Sequence, residues 1–466
     1  MNIDEILNKD FVKTRIKGEV IDIEITDEIK AGLEILEKTN NNLFITGKAG
    51  TGKSTLLNLF TEHTNKRIAV LAFTGLAAVN VGGETIHSFF NLPLGFLDYK
   101  KFSNKKNALV DKVKNIDVIV IDEISMVRAD MIDTIDMILK VNRDSYEPFG
   151  GVQMIFIGDL HQLPPIVDKE LGKIFFQEYK SEFFFSAKLF EEYKLPYLNL
   201  IKIFRQKDEN FIKALNSVRE RNKDLFSSLE LINKNILYDK IELAKEMIKG
   251  ETVCITTTNK KSKEINDHFL NRLKTKDFSY KAKIIDDFDK SSYPTEENLI
   301  LRVGAKVMAI RNDKEKKFVN GDIGIVTYLD NNKIRVRFRE NEYFIDKVTW
   351  EKYKYEKVIV DENNNVVDEN KNVIYVYDKK IVGTFTQFPL KLAWSVTIHK
   401  AQGQTYNKVF IDFGKGTFTS GQAYVALSRC RSLEGMMLNQ EVRITDIKLD
   451  KNIPEFYRMF KNIMEI

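Results

Sequence analysis

"FITGKAGTGKST", residues 44–55, is the stretch on which the fold turns. Gly47, Gly52, Lys53 and Ser54 fall at the spacing G-x-x-x-x-G-K-[ST], the pattern of a phosphate-binding loop. Before it, "NNLFIT" reads as an apolar strand; after it, "KSTLLNLFTEH" reads as an amphipathic helix. Glycines let the backbone bend so that successive N–H groups point inward and form an anion nest. The helix opening near Lys53 adds the positive end of its dipole. Lys53 is placed to reach terminal phosphates, and Ser54 to ligate Mg²⁺. The plain alternative is a Gly-rich strand–helix turn with no ligand, but strand and helix both stand where a nucleoside triphosphate site needs them. The expected cradle comprises Gly47, Ala49, Gly50, Thr51, Gly52, Lys53, Ser54 and Thr55.

Working outward, residues 1–26 form an N-terminal segment, and a first α/β lobe is expected over 27–186. Its strands are "LFIT", "RIAVLAF", "DVIVID" and "VQMIFIG", separated by helical stretches. That alternation predicts a parallel sheet with crossover helices, and ligands at the carboxyl ends of its strands. Residues 91–110 break the pattern and read as an excursion from the lobe. A second α/β lobe is expected over 187–316, with a small β-barrel inserted at 317–384. Within that insert, "DENNNVVDEN" reads as a solvated hairpin turn rather than a metal site. The lobe resumes over 385–466 and ends on a helix, "IPEFYRMFKNIM".

Further residues supply the chemistry a triphosphate would need. "VIVIDEISM" sets Asp122 and Glu123 just after a buried strand. Asp122 suits Mg²⁺, and Glu123 suits the attacking water; capping of the next helix is the structural alternative. Gln162, in "IFIGDLHQLPPI", is neutral and bidentate, fitted to sensing a γ-phosphate. Arg205 in "IFRQ" and Arg429 in "YVALSRCRS" are planar, always-charged forks for a phosphoryl group in transition, or else structural ion pairs. "AFTGLAAVN" and "GGETIHSFF" offer Phe73, Thr74, Thr85, His87, Ser88 and Phe89. Aromatics with short polar groups make a platform for single-stranded nucleic acid, although either Phe would be ordinary in a core.

Taken in order, these segments resemble the motif series of superfamily 1B helicases, specifically the Pif-type branch with its RecD-like relatives. The series runs "GKAGTGKST", "AFTGLAA…TIHSF", "IDEISM", "GDLHQLPP", "FRQ", "WSVTIHKAQGQT" and "YVALSR", and "EPFGGVQ" resembles the segment that marks the branch. Similarity covers about residues 27–440. The resemblance implies an α/β fold of two RecA-like parallel-sheet lobes, a wedge hairpin in the first and a Src-homology-three-like β-barrel in the second. It implies ATP and Mg²⁺ as cofactors, with Ser54 and Asp122 on the metal and Gly403 beside the nucleotide. The implied activity is ATP-driven 5′→3′ movement on single-stranded DNA, opening duplex, quadruplex or DNA–RNA hybrid during replication, repair or recombination. Pro93, Thr257, Asn259, Pro389, His399 and Lys400 join the expected strand channel. Pro93, Leu94, Phe96 and Leu97 make an apolar tip able to stack on the first base pair, or a connector packed on the lobe. One position departs from the pattern: where members often carry an adenine-reading glutamine, "ITDEIKAG" has Ile29. Two competitors are a nucleotide-dependent switch without motor action and a motor subunit of a nuclease or relaxase assembly.

Bulk properties agree. At 466 residues the chain has room for two to four domains, and 43% hydrophobic with 30% charged residues is ordinary for a globular protein. A net charge of +5 is compatible with a polyanion without demanding one. Cys254 and Cys430 lie far apart, which favours a reducing compartment over a disulfide framework. No stretch is apolar enough to cross a membrane, and "MNIDEILNKDFVKTRIKGE" is too charged for a signal peptide. The expectation is a soluble intracellular protein, cytoplasmic in a bacterium or nuclear or mitochondrial in a eukaryote, binding single strands and junctions as a monomer.

Overall fold

The structure, a computed structural model, describes residues 2–465 apart from 17–18, 49, 104–109, 203–207, 238–246, 248–251, 289, 291–292, 314, 316, 319 and 361–373. The chain divides into two compact units. One comprises Met1–Lys207, Ile359–Val376 and Leu449–Ile466; the other comprises Asp208–Val358 and Tyr377–Lys448.

The first unit is built on a six-stranded parallel sheet. In spatial order its strands are Glu84–Thr85, Ile68–Ala72, Val118–Asp122, Gln153–Ile157, Leu43–Gly47 and Tyr197–Leu200. Leu43–Gly47 and Gln153–Ile157 are buried along their whole length, as expected of strands covered on both faces. Alternation sends Leu43 and Ile45 to one face, where they meet Ile29, Leu33 and Leu36 of helix Asp27–Lys38 and Leu56, Leu59 and Phe60 of helix Lys53–His63. Phe44 points to the other face, into an aromatic core. Its ring lies 5.5 Å from Phe184 and 5.2 Å from Phe456.

Two expected boundaries move here. Tyr197–Leu200 pairs in parallel with Leu43–Gly47, so the first lobe extends past Ser186. Helix Ile453–Met459, read as the end of the second lobe, belongs to the first unit because Phe456 fills the aromatic core beside Phe44.

The second unit has a four-stranded parallel sheet in the order Ser395–Thr397, Thr252–Thr256, Lys408–Asp412, Met436–Leu438. Helix Asn259–Arg272 is tied to its edge by Asn266, which donates to Ser395 O at 2.9 Å and accepts from Ser395 N at 2.8 Å. The β-rich part is larger than the expected 317–384. A five-stranded antiparallel sheet runs Asn341–Ile345, Ile334–Phe338, Ile323–Leu329, Lys306–Ala309, Leu390–Leu392. Short strands at Phe278–Lys281, Lys283–Asp286 and Asn298–Leu301 also belong to antiparallel pairings. The boundary was hidden because one continuous core joins barrel and lobe: Val307, Val326, Val336 and Leu390 share a cluster with Cys254, Phe269, Trp394 and Phe410. The acidic turn "DENNNVVDEN" lies outside the described residues.

Candidate nucleotide site and nucleic-acid interface

The loop after Leu43–Gly47 closes so tightly that its glycines are required. A Cβ on Gly47 would stand 2.5 Å from Thr51 Oγ1 and 2.7 Å from the Leu200 carbonyl oxygen. Gly52 caps helix Lys53–His63 at φ +89°, a backbone region that L side chains rarely adopt, and makes no side-chain cap bond. The first N–H groups of that helix are therefore available to an anion. Lys53 Nζ donates to Gly47 O at 2.6 Å and Lys48 O at 2.9 Å, curling back over the loop that precedes it. Thr51 is buried and its hydroxyl donates to Lys48 O at 3.0 Å, while Ser54 is exposed. Gly50 and Thr55 lie on the same loop and helix start; Ala49 lies outside the described residues.

Neighbouring strands deliver the acidic residues to the same edge of the sheet. Asp122 ends Val118–Asp122, and its carboxyl is raised well above the ordinary carboxylate range, first by desolvation and next by the charge of Glu123. Lys53 is near enough to oppose that shift. Glu123 sits at φ 53°, ψ 45°, a left-handed conformation that costs a non-glycine residue about 1–3 kcal/mol. The strain turns the chain sharply after Asp122. Past Gln153–Ile157, Asp159 is fully buried and accepts from His161 N at 3.1 Å. Gln162 follows, with Oε1 buried and lacking a hydrogen-bond partner among the described residues. A buried amide oxygen without a partner points to a group that arrives with the ligand. Asp159 was not foreseen; full burial of a carboxylate behind "HQ" has no local sequence signal.

The ligand set fits a magnesium nucleotide. Ser54 and Asp122 offer hard oxygens, as Mg²⁺ prefers. The crowding of Asp122 against Glu123 is what a divalent cation relieves.

On the first unit, Phe73 is half-buried, with its ring 6.0 Å edge-on from His87. Thr74 Oγ1 accepts from Ala77 N at 3.2 Å and Thr85 Oγ1 from Ser88 N at 3.2 Å, so both hydroxyls cap short helices. Ser88 is exposed and donates to Glu84 at 3.1 Å. Burial lowers the His87 imidazole, Arg128 lowers it further and Asp130 opposes. Phe89 departs from expectation: it is 2% exposed, packed 4.8 Å from Phe90, with Lys112 Nζ 3.8 Å above its ring. It is core, because the short helix Ile86–Phe90 turns that face inward. Pro93 is half-buried. The apolar tip reduces to Leu94 at 63% exposure, since Phe96 packs 6.4 Å from Phe175 and Leu97 is 1% exposed.

In the second unit, Asn259, Lys391 and Lys400 line one cavity of about 490 Å³, together with Lys260, Lys263 and Glu296. Lys400 is pushed down to about 7, first by burial and then by Lys391. His399 is lowered by burial. Thr257 is a correction: its hydroxyl is buried and donates to Phe413 O at 3.0 Å, which joins two strand ends. Pro389 is another; it is buried, and its carbonyl accepts from Ile310 N at 2.9 Å within the barrel. Gly403 takes φ 76° in the loop after helix Ile398–Ala401. Arg429 is 6% exposed, and its nitrogens donate to Val425 O, Gln404 O and Ser428 Oγ, each at 2.9 Å. Arg205 lies outside the described residues. Ile29, at the adenine-reading position, is fully buried in the core.

Comparison with known proteins meets this geometry. A profile for PIF1-like helicases matches residues 24–235. The chain is 31% identical over 451 residues to the ATP-dependent DNA helicase Pif1 of Psychrobacter, covering 87% of this chain and 66% of that protein. It is 29% identical over 454 residues to the ATP-dependent DNA helicase Pif1 of Bdellovibrio bacteriovorus, covering 95% and 94%. A crystal structure of Pif1 helicase from Bacteroides, in complex with ADP-AlF3 and single-stranded DNA, superposes with a TM-score of 0.77 at 37% identity, covering 94% of this chain and 97% of that one.

Proposed function

The chain belongs to the PIF1-like helicase family and is an ATP-dependent DNA helicase; on that premise we propose that it moves 5′→3′ along single-stranded DNA. The direction rests on the family resemblance alone; one observation supports the ATP-hydrolysing motor itself. The phosphate loop, Asp122, Glu123 and Gln162 gather at the carboxyl edge of a single sheet, on the strands Leu43–Gly47, Val118–Asp122 and Gln153–Ile157. A positioned carboxylate and a buried amide beside the loop serve hydrolysis of the bound triphosphate.

In this reading the backbone N–H groups of Gly50 to Ser54 and the Lys53 ammonium bind and orient the β- and γ-phosphates of ATP. Ser54 and Asp122 would hold Mg²⁺, whose contribution when bound is to neutralise phosphate charge. Glu123 orients or deprotonates the attacking water, and Gln162 reports whether a γ-phosphate is present. Arg429, with Arg205, meets the transition-state charge. His87, Ser88 and Phe73 grip the strand from one unit, and Asn259, His399 and Lys400 from the other. Each grip must differ between nucleotide states for hydrolysis to ratchet the strand. We further propose a role in replication, repair or recombination, with a monomer sufficient for movement.

Strand displacement under single-turnover conditions tests the polarity, using one duplex with a 5′ tail and one with a 3′ tail. The 5′-tailed duplex should open first. Preferential opening of the 3′-tailed duplex overturns the assignment.

A further inference from the structure

The outer face of the five-stranded sheet carries a basic and aromatic ladder that the motor residues do not include. In "KIRVRFRE", residues 333–340, a cation stands at every second position: Lys333, Arg335, Arg337 and Arg339. The two-residue period of a strand sends Ile334, Val336 and Phe338 inward, at 0%, 0% and 3% exposure. It sends Lys333, Arg335 and Arg337 outward; Arg339 follows in the turn, exposed, and pairs with Asp322 at 3.3 Å.

Register then sets the aromatics beside these cations. Arg335 is the cross-strand partner of Tyr328 on one side and of Phe344 on the other. Its guanidinium lies 5.7 Å from the Tyr328 ring and 5.8 Å from the Phe344 ring, and its Nε meets Glu342 at 3.0 Å. Lys333 Nζ stands 5.9 Å from Phe344. Arg335 is thus a rivet that fixes both rings. Packing explains the rivet but not the rings, which keep 41% of Tyr328 and 57% of Phe344 in solvent. Lys333 and Arg337 are exposed on either side of them along the strand.

We propose that this face binds a second segment of single-stranded DNA, apart from the strand in the motor channel. Bases stack on Phe344 and Tyr328, and Lys333 and Arg337 meet the flanking phosphates. Charge and shape both select this occupant. The outward cations recur about every 6.7 Å along the strand, a step suited to an extended sugar–phosphate chain. Flat, half-exposed rings need unstacked π faces, which a single strand has and a duplex hides. Glu342 faces Arg337 across the strands and Asp330 accepts from Tyr328, so the acids are engaged by the ladder and leave its outer charge positive. The proposal rests on the DNA-motor reading above and adds a surface that reading does not require.

Two variants of the full chain test it: the charge reversal Lys333→Glu/Arg337→Glu, and Phe344→Ala. Fluorescence anisotropy compares oligothymidylates of about 8 and about 30 nucleotides, the first sized for one site only. Both variants should bind the short strand as the parent does and lose about tenfold in affinity for the long one. For the charge reversal the log–log salt slope on the long strand should also flatten by about 1.4, two phosphates at about 0.7 each. Ultraviolet cross-linking of the long strand should map to Asn341–Ile345. Parental affinity of both variants for the long strand overturns the proposal. So does loss of polyglutamate binding with DNA binding unchanged, which would assign the face to an acidic protein. If the charge reversal unfolds the barrel, Phe344→Ala, at an exposed site, still decides. Failure of any single strand to stimulate ATP turnover in the parent would instead sink the motor reading.

Discussion

Arg128 and Asp130 form an ion pair at 2.8 Å, with the carboxylate fully buried and the guanidinium side chain 11% exposed. Each partner also holds the segment that departs from the lobe after Phe90. Arg128 donates to Gly95 O at 2.5 Å, and Asp130 accepts from Leu97 N at 2.9 Å. The same pair acts electrostatically on His87. One ion pair therefore sets both the base of the Leu94 tip and the environment of the His87 imidazole.

Asp130→Ala should lower stability by about 3–5 kcal/mol, because it strands a buried guanidinium. Denaturant unfolding measures that loss. Unwinding should fall at least tenfold more than DNA-stimulated ATP turnover, since the tip loses its anchor while the phosphate loop does not. Equal losses in both activities would reduce the pair to a structural role.

Lys53→Ala should cut ATP hydrolysis by about 10³ or more while single-strand affinity stays within a few-fold. Its ammonium touches loop carbonyls, whereas the residues proposed to grip the strand stand on other segments. Substantial DNA-stimulated turnover in this variant would remove the nucleotide-site assignment.

Arg429→Ala separates catalysis from architecture. The guanidinium is bonded within its own unit, so some stability should be lost. A role in turnover predicts a fall of about 10³ in kcat with nucleotide affinity nearly unchanged. A variant that melts earlier yet hydrolyses ATP at the parental rate would make Arg429 structural.

Lys400 gives a pH signature. Burial and Lys391 hold its ammonium down at about 7, against 10.5 for an ordinary lysine. Between those values the unfolded chain binds more protons than the folded one, so this group's contribution to stability rises with pH across the window and levels off below about 7. A phosphodiester in the cavity favours the ammonium over the amine. Strand binding then takes up a proton and weakens as pH climbs above about 7. Lys263, Lys260 and Glu296 face the same cavity, and Glu296 acts on Lys391 in the opposite sense. Anisotropy titrations between about pH 6 and 9 should show this slope in the parent and a flatter one in Lys400→Met. The same slope in both would clear Lys400 of the effect.

The nucleotide site was legible because phosphate chemistry demands particular residue types at fixed spacing within one turn. Gly47, Gly52, Lys53 and Ser54 meet that demand in eight consecutive residues, 47–54. What sequence hid were relations between distant segments. Nothing near Tyr197 announces that it pairs beside Phe44, nor does anything near Phe456 announce a place in the same aromatic core. Phe89 sits in a motif that resembles a strand-binding segment and Pro389 just ahead of another, yet both side chains face inward. Motif resemblance specifies a segment; burial depends on which face of it the neighbouring elements cover. The barrel's early start was hidden for the same reason, since Lys306–Ala309 is as buried as a lobe strand.

The edge strand Tyr197–Leu200 has one more consequence, which concerns synthesis. Tyr197 N donates to Lys461 O at 3.0 Å, and Phe456 and Phe460 are buried in the unit formed by Met1–Lys207. A ribosome makes Lys207 and then all of Asp208–Lys448 before those phenylalanines emerge. At roughly 5–20 residues per second, that delay is on the order of tens of seconds. Throughout it, Phe44, Phe184 and Phe185 lack the ring that covers them in the finished chain. The nascent first unit thus waits with an open aromatic face, a natural substrate for a chaperone, and it becomes fully packed only after the second unit has been translated.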